Sequence, residues 1–349
     1  MAMESQALQT ALIAFSSANW SYLNQGSEVI VLENNSRALT TLGRSIRDAD
    51  IAQQETNLAA CLVLSTSEIS QGHRHSWFPH LQGARQILLT AHRQGYGGQI
   101  LYGADALKGT PEGRWLLRNF AYHDIMGSIV SGYPLLLKIE YAYDILDEVD
   151  SYFGVASTIL ISIARINSLG LHGANGQPAD DGNDADLEGE NLQTEISDIE
   201  RNLLDWQCVL QDSNPELHDM AHCYRNAALL SLYGRCYERD PKLYGEKIIP
   251  ATTELFSCIS RLPAGSYTEG SMLFPHFMAG VFASSAEQVA MLRSRMNIIL
   301  STRGFRNIEV ARTALESIWS RTRAESESST RMLSWPDIRH LVGDGLSLS

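Results

Sequence analysis

The chain is 349 residues long, 44% hydrophobic and 19% charged, which is ordinary for a folded protein with enough residues for a sizeable core. Its formal charge of −13 and pI of about 5.2 argue against direct binding to nucleic acid or to an anionic membrane, because neutralising phosphates takes a basic surface. Five cysteines without a Cys-x-x-Cys pair, no apolar run near the roughly 18 residues of a membrane span, and no basic lead into an apolar stretch over Met1 to Leu12 describe a reduced, intracellular chain with no signal peptide.

Helical periodicity dominates, and no run alternates as a strand would. The spacing predicts a helix over Gln6 to Leu23 with Ala7, Ala11, Ala14, Phe15, Ala18 and Tyr22 on one side, and a second over Ser27 to Asp50. A third, Gln54 to Ile69, carries Leu58, Cys61, Leu62, Ser65 and Ile69 on one stripe. Ser76 suits the N-cap of a fourth, in which Trp77, Leu81, Ala84 and Leu88 align before Gly95, Gly97 and Gly98 end it. Gly103 to Glu112 reads as loop, with Pro111 fit for a first turn, and a helix follows from Glu112 to Val130, stopping before Pro134. Ser151 to Leu169 is helical. Residues 171–190 are glycine-rich and acidic and read as a long mobile loop. Further helices are expected over Leu192 to Gln211, Pro215 to Glu238, Pro241 to Arg261, Thr268 to Arg293, Phe305 to Arg321 and Trp335 to Leu341, with Ala324 to Thr330 as polar linker. The fold class is therefore all-α, an irregular array of roughly a dozen helices forming one domain over residues 1–349.

Several short blocks carry a resemblance. Ala59 to Glu68 is an apolar helix ending in Glu; Trp77-Phe78-Pro79-His80-Leu81-Gln82-Gly83-Ala84 has a Trp-x-x-His-Leu-x-Gly-Ala pattern; Phe120 to Asp124 precedes Gly132-Tyr133-Pro134; Ala227 to Tyr237, Leu273 to Gly280 and Trp335 to Ile338 follow. In this order they resemble the helical regulatory domain of fungal zinc-cluster transcription factors. The Cys-x2-Cys-x6-Cys cluster usual upstream of that domain is absent from these 349 residues. The resemblance implies a regulatory or interaction protein without its own DNA-binding module, nuclear by family and otherwise cytoplasmic. Its expected partners are a small apolar metabolite of fungal secondary metabolism, a partner regulator or a second copy of itself, with no nucleic acid and no membrane. The alternative is a repurposed enzyme of secondary metabolism, a cyclase or isomerase working in an apolar helical pocket.

Candidate chemistry is sparse. His73, His75 and His80 lie within eight positions and have the right donor atoms for zinc, but a bent loop would be needed to converge them, so packing is the preferred reading. His123, Asp124 and His80 are the candidate acid–base residues. Adjacent helical positions point about 100° apart, so Tyr122, His123 and Asp124 cannot all face one pocket. Trp77, Tyr122 and Phe274 are the candidate ligand-contacting aromatics. Asp180-Asp181-x-x-Asp184 resembles a magnesium-binding acidic motif but sits among helix-breaking glycines, and Arg293, Arg295, Arg303, Arg306 and Arg312 read as solvated helix charges. No cofactor and no metal are expected.

Overall fold

A computed structural model describes residues 4–24, 26–47, 53–146, 154–169, 184–208, 214–326 and 332–349. It is all-α, with fourteen α-helices among the described residues. The Cα positions divide into two compact units. One comprises Met1–Leu146, Met296–Thr313 and Gly343–Ser349; the other comprises Asp147–Arg295 and Ala314–Val342. The first crossing falls at Leu146/Asp147, ahead of the acidic stretch. Of that stretch, residues 171–183 lie outside the described residues, and from Asp184 onward the chain is helical.

In the first unit α1 (Gln6–Asn24) buries Ala7, Ala11, Ala14 and Ala18, a stripe of small side chains that lets α2 (Glu28–Arg47) and α3 (Gln54–Ser70) approach closely. The α3 stripe is buried as its spacing predicts, and Ala59, Ala60 and Leu64 are buried too, so α3 is enclosed on most sides. On α4 (Trp77–Thr90), Trp77, Leu81, Ala84 and Leu88 face inward. Gly83 lies over α3, where an added Cβ would stand 3.7 Å from the Cys61 sulfur. Ser76 occupies the N-cap of α4 but its hydroxyl makes no capping bond, because its own backbone is already helical. Helix α4 stops at Thr90, before the glycines expected to end it, and those glycines form the turn of a small antiparallel hairpin, β1 (His92–Gln94) with β2 (Ile100–Tyr102). Gly97 and Gly98 take positive φ there. Three-residue strands are too short to show alternation, so the sequence signals only a helix end at this place. After the single turn α5 (Ala104–Leu107) comes α6 (Pro111–Ser128). Thr110 caps it, accepting from the Gly113 amide at 3.0 Å, with Pro111 in the first turn as expected.

In the second unit α7 (Ile159–Ser168) and α8 (Asp184–Asp205) pack against α9 (Pro215–Cys236), whose second half is buried on every side. Helix α10 (Pro241–Arg261) has the predicted limits, and Asp240 caps it by accepting from the Leu243 amide. The single helix expected over Thr268 to Arg293 does not form. The chain makes a 3-10 turn at Thr268–Ser271, then α11 (Leu273–Val281), breaks, and restarts as α12 (Ala286–Arg303). The break is a capping box: Ser285 accepts from the Gln288 amide at 3.2 Å, and the Gln288 side chain accepts from the amides of Ser284 and Ser285. Helix α13 (Arg306–Ser326) and α14 (Trp335–Val342) complete the chain, and Trp335 and Ile338 of α14 are buried. Among the described residues no helix is long and apolar enough to cross a membrane.

Candidate functional site

In the first unit the Trp-x-x-His-Leu-x-Gly-Ala block builds a packing knot around Trp77. Its indole N–H donates to the carbonyl oxygens of Arg74 (2.8 Å) and Gly345 (2.9 Å), and its own carbonyl accepts from Ser65 Oγ. Gly127 on α6 lies under the indole, where any Cβ would stand 2.6 Å from Cη2. Phe78 stacks on Tyr133 with ring centroids 3.9 Å apart, and both rings meet Trp77 edge-on. Thus Trp77 engages α6, the Gly132-Tyr133-Pro134 turn and the last residues of the chain. This work is structural. The cavity beside Trp77, lined by Ile69, Gly72, Asn307 and Leu346 among others, holds about 10 Å³, room for one water at most.

Of the three candidate acid–base residues, Asp124 and His123 have separate partners. Asp124 accepts from the amides of Leu136 (2.8 Å) and Leu137 (3.1 Å), which anchors the segment after the Gly-Tyr-Pro turn. Burial raises its pKa to about 7 against the pull of those two amides and of Arg85. His123 is buried with Nε2 3.1 Å from the Thr66 hydroxyl, and desolvation lowers its pKa to about 4. Half-buried His80 is also shifted down by burial, against the pull of Glu68. Tyr122 is buried with its ring edge-on to His123. The other histidines of the suggested cluster go elsewhere: His73 pairs with Glu68 at 2.6 Å, and His75 meets the Tyr133 hydroxyl at 3.0 Å. Among the described residues no group of three or more His, Cys, Asp or Glu could share a metal ion. Asp180 and Asp181 lie outside the described residues. Later acids of the run find cations: Glu195 faces Arg165, Asp198 faces Arg201, and Glu200 binds Lys247 at 2.6 Å.

Phe274 belongs to the second unit and is fully buried in α11, 6.2 Å from Tyr224 ring to ring. Near it is a buried ionic group that the spacing of the sequence does not reveal. Glu269, wholly inaccessible, lies 2.8 Å from Arg295 Nη1; the second Arg295 nitrogen donates to the Leu262 carbonyl, and the Gly265 amide donates to Glu269 Oε2. Arg295 is therefore not the solvated helix charge expected, because the turn at 262–271 brings a carboxylate over it. Arg293, its near neighbour on α12, chelates Glu316 and lies over the Trp319 ring. His276 Nε2 is 3.5 Å from Glu269 Oε1, but burial and the Arg295 charge hold this histidine neutral, with a pKa pushed down to about 3.

A neutral buried histidine makes stability depend on pH. Between about 3 and its ordinary 6.5, the unfolded chain binds a proton at His276 that the fold refuses. The His276 contribution is therefore complete above pH 6.5 and falls as pH drops, by up to about 1.4 kcal/mol per pH unit. His222, also lowered by burial, adds in the same sense. In the first unit the shifts oppose one another. His123 acts as His276 does, whereas Asp124, ionised above 3.8 in the unfolded chain and above about 7 in the fold, favours the fold at lower pH. Chemical denaturation of the His276→Gln chain is expected to show a shallower loss of stability from about pH 6.5 toward about pH 4.5 than the native chain, and an unchanged slope would contradict this account.

A cleft of about 290 Å³ opens in the second unit between the α11–α12 break and α13, lined by Ala283, Ser285, Val289, Arg293, Trp319 and Thr322 among others. None of Trp77, Tyr122 or Phe274 lines it. A family model described as the fungal specific transcription factor domain matches residues 1–349. No curated protein and no solved structure matches the chain.

Proposed function

The chain belongs to the fungal specific transcription factor domain family, and from that premise we propose that these residues control transcription through contacts with other molecules, inside the nucleus, rather than by catalysis or by reading DNA themselves. The observation that carries the reading is the family match over the whole chain. Two features of the chemistry support it. Two of the three candidate acid–base residues are engaged in packing, Asp124 with a turn and His123 with Thr66. The net charge of −13 disfavours contact with a phosphate backbone. The finer part of the proposal is that a small metabolite of fungal secondary metabolism tunes the regulator. Its support is the Trp319 cleft, whose mixed lining offers one aromatic face and a few polar groups, and whose volume is at the lower limit for small ligands.

The test is a tethered reporter. Residues 1–349 are fused to a heterologous DNA-binding module in a fungal host, and reporter output is compared with the module alone. A severalfold change in output, with the untethered chain found in the nucleus, is expected. Output equal to that of the module alone would overturn the regulatory reading.

A further inference from the structure

We propose that α2 is a self-association surface, on which a second copy of this chain pairs with it antiparallel. Five large apolar side chains of α2 stand in solvent, and apart from Ile30 (52% exposed) they share one stripe: Val29 (61%), Leu32 (68%), Leu39 (49%) and Ile46 (44%). Single exposed apolar residues are ordinary. These four, however, fall with Ser36 and Gly43 on positions 29, 32, 36, 39, 43 and 46, alternating steps of three and four, which is the seam of a coiled coil. The seam is distinct from the face that α2 uses within its own chain, which buries Ala38 and Leu42.

The same six residues favour one orientation. If two α2 helices run antiparallel with the dyad between Arg37 and Ala38, Val29 faces Ile46 of the other copy, Leu32 faces Gly43 and Leu39 faces Ser36. Two layers then set a large side chain against a small one, which the jigsaw of a helix seam requires. Gly43 is the informative residue. A glycine in mid-helix is unfavourable relative to alanine, and a Cβ built there meets nothing within 4 Å. Its own chain thus has no use for the missing side chain, whereas a facing Leu32 does.

Charge points the same way. Glu28 and Glu33 occupy the N-terminal half of α2 and Arg44 and Arg47 the C-terminal half, with Arg37 beside the dyad. Among the described residues none of the five takes part in an ion pair. Antiparallel pairing lays each acidic part beside a basic one; parallel pairing would lay like beside like. The seam is about 2.5 heptads long, too short to fold isolated helices, but α2 is already held as a helix by α1. A modest, concentration-dependent dimer is the expected result.

Sedimentation of the full chain from about 1 μM to about 100 μM should therefore show a monomer–dimer equilibrium. Leu32→Glu with Leu39→Glu should abolish it without changing the circular dichroism spectrum. Arg44→Glu with Arg47→Glu should weaken it at least tenfold, and adding Glu28→Arg with Glu33→Arg should restore it. Gly43→Leu should weaken the dimer while leaving the monomer as resistant to heat as before, or more so. Orientation is read by oxidation: a mixture of Val29→Cys and Ile46→Cys chains should cross-link to each other, and neither should cross-link to itself. A chain that stays monomeric over this range overturns the proposal and points the stripe at a different protein. A dimer indifferent to Leu32→Glu with Leu39→Glu, or Val29→Cys linking to its own copy, overturns the surface or the orientation. Neither outcome bears on the reporter result.

Discussion

Trp77→Ala is expected to lower the stability of the chain by about 3–5 kcal/mol, the range for deleting a fully enclosed aromatic side chain. The cost has three sources. The indole is 1% exposed, so its loss leaves a void that the surrounding helices cannot close. The carbonyl oxygens of Arg74 and Gly345 lose their donor. The stacked pair Phe78 and Tyr133 loses the ring that both meet edge-on. Trp77→Phe separates these contributions, since it keeps most of the volume and removes the N–H, and it should cost less than Trp77→Ala. Gly127→Ala attacks the same knot from the other helix, because the new methyl overlaps the indole. In the Trp77→Ala background that overlap is gone, so the two substitutions should cost less together than the sum of each alone. Urea denaturation of the native chain and these variants measures all of this. A Trp77→Ala chain within about 1 kcal/mol of the native one would mean that the signature tryptophan is not a packing residue.

Glu269→Leu should be about as damaging, at about 3–5 kcal/mol, because it strands the Arg295 guanidinium inside the protein. Arg295→Met should be similarly harmful for the reciprocal reason. The double variant, Glu269→Leu with Arg295→Met, is expected to recover most of the loss, since a buried pair as a whole is often replaceable by apolar side chains of similar size. The recovery will be incomplete to the extent that the Leu262 carbonyl and the Gly265 amide lose their partners. Additive losses in the double variant would show that Glu269 and Arg295 do not depend on one another.

Most of this fold is legible in the residues because its helices are amphipathic and capped by local chemistry. The stripes of α3 and α4 are visible in the spacing of Leu58, Cys61, Leu62 and of Trp77, Leu81, Ala84, and both are buried. The limits of α10 follow from Asp240 and Pro241 ahead of an apolar pattern. The break between α11 and α12 is encoded locally, as Ser285-Ala286-Glu287-Gln288 is a capping-box sequence, but the apolar run that precedes it masks the stop. Pairing between distant segments is not legible. Nothing local distinguishes Arg295 from Arg303 or Arg312; only the turn that carries Glu269, 26 residues earlier, removes it from water. The role of Asp124 is not legible, because its partners, the amides of Leu136 and Leu137, lie beyond a turn whose path no periodicity encodes. The α2 seam is not legible either, because its apolar residues become a separate stripe only once the fold shows that Ala38 and Leu42 face the core and Val29, Leu32 and Leu39 do not.

The central proposal is that this chain regulates transcription. The most direct measurement is a deletion strain in which genome-wide transcripts and metabolites are followed together, with the native gene restored as control. The account predicts that a defined set of transcripts changes in the deletion, that the metabolites which change are those made by the affected genes, and that restoration reverses both. Steady transcripts beside the accumulation of a single intermediate would contradict it and make the chain an enzyme acting on that compound.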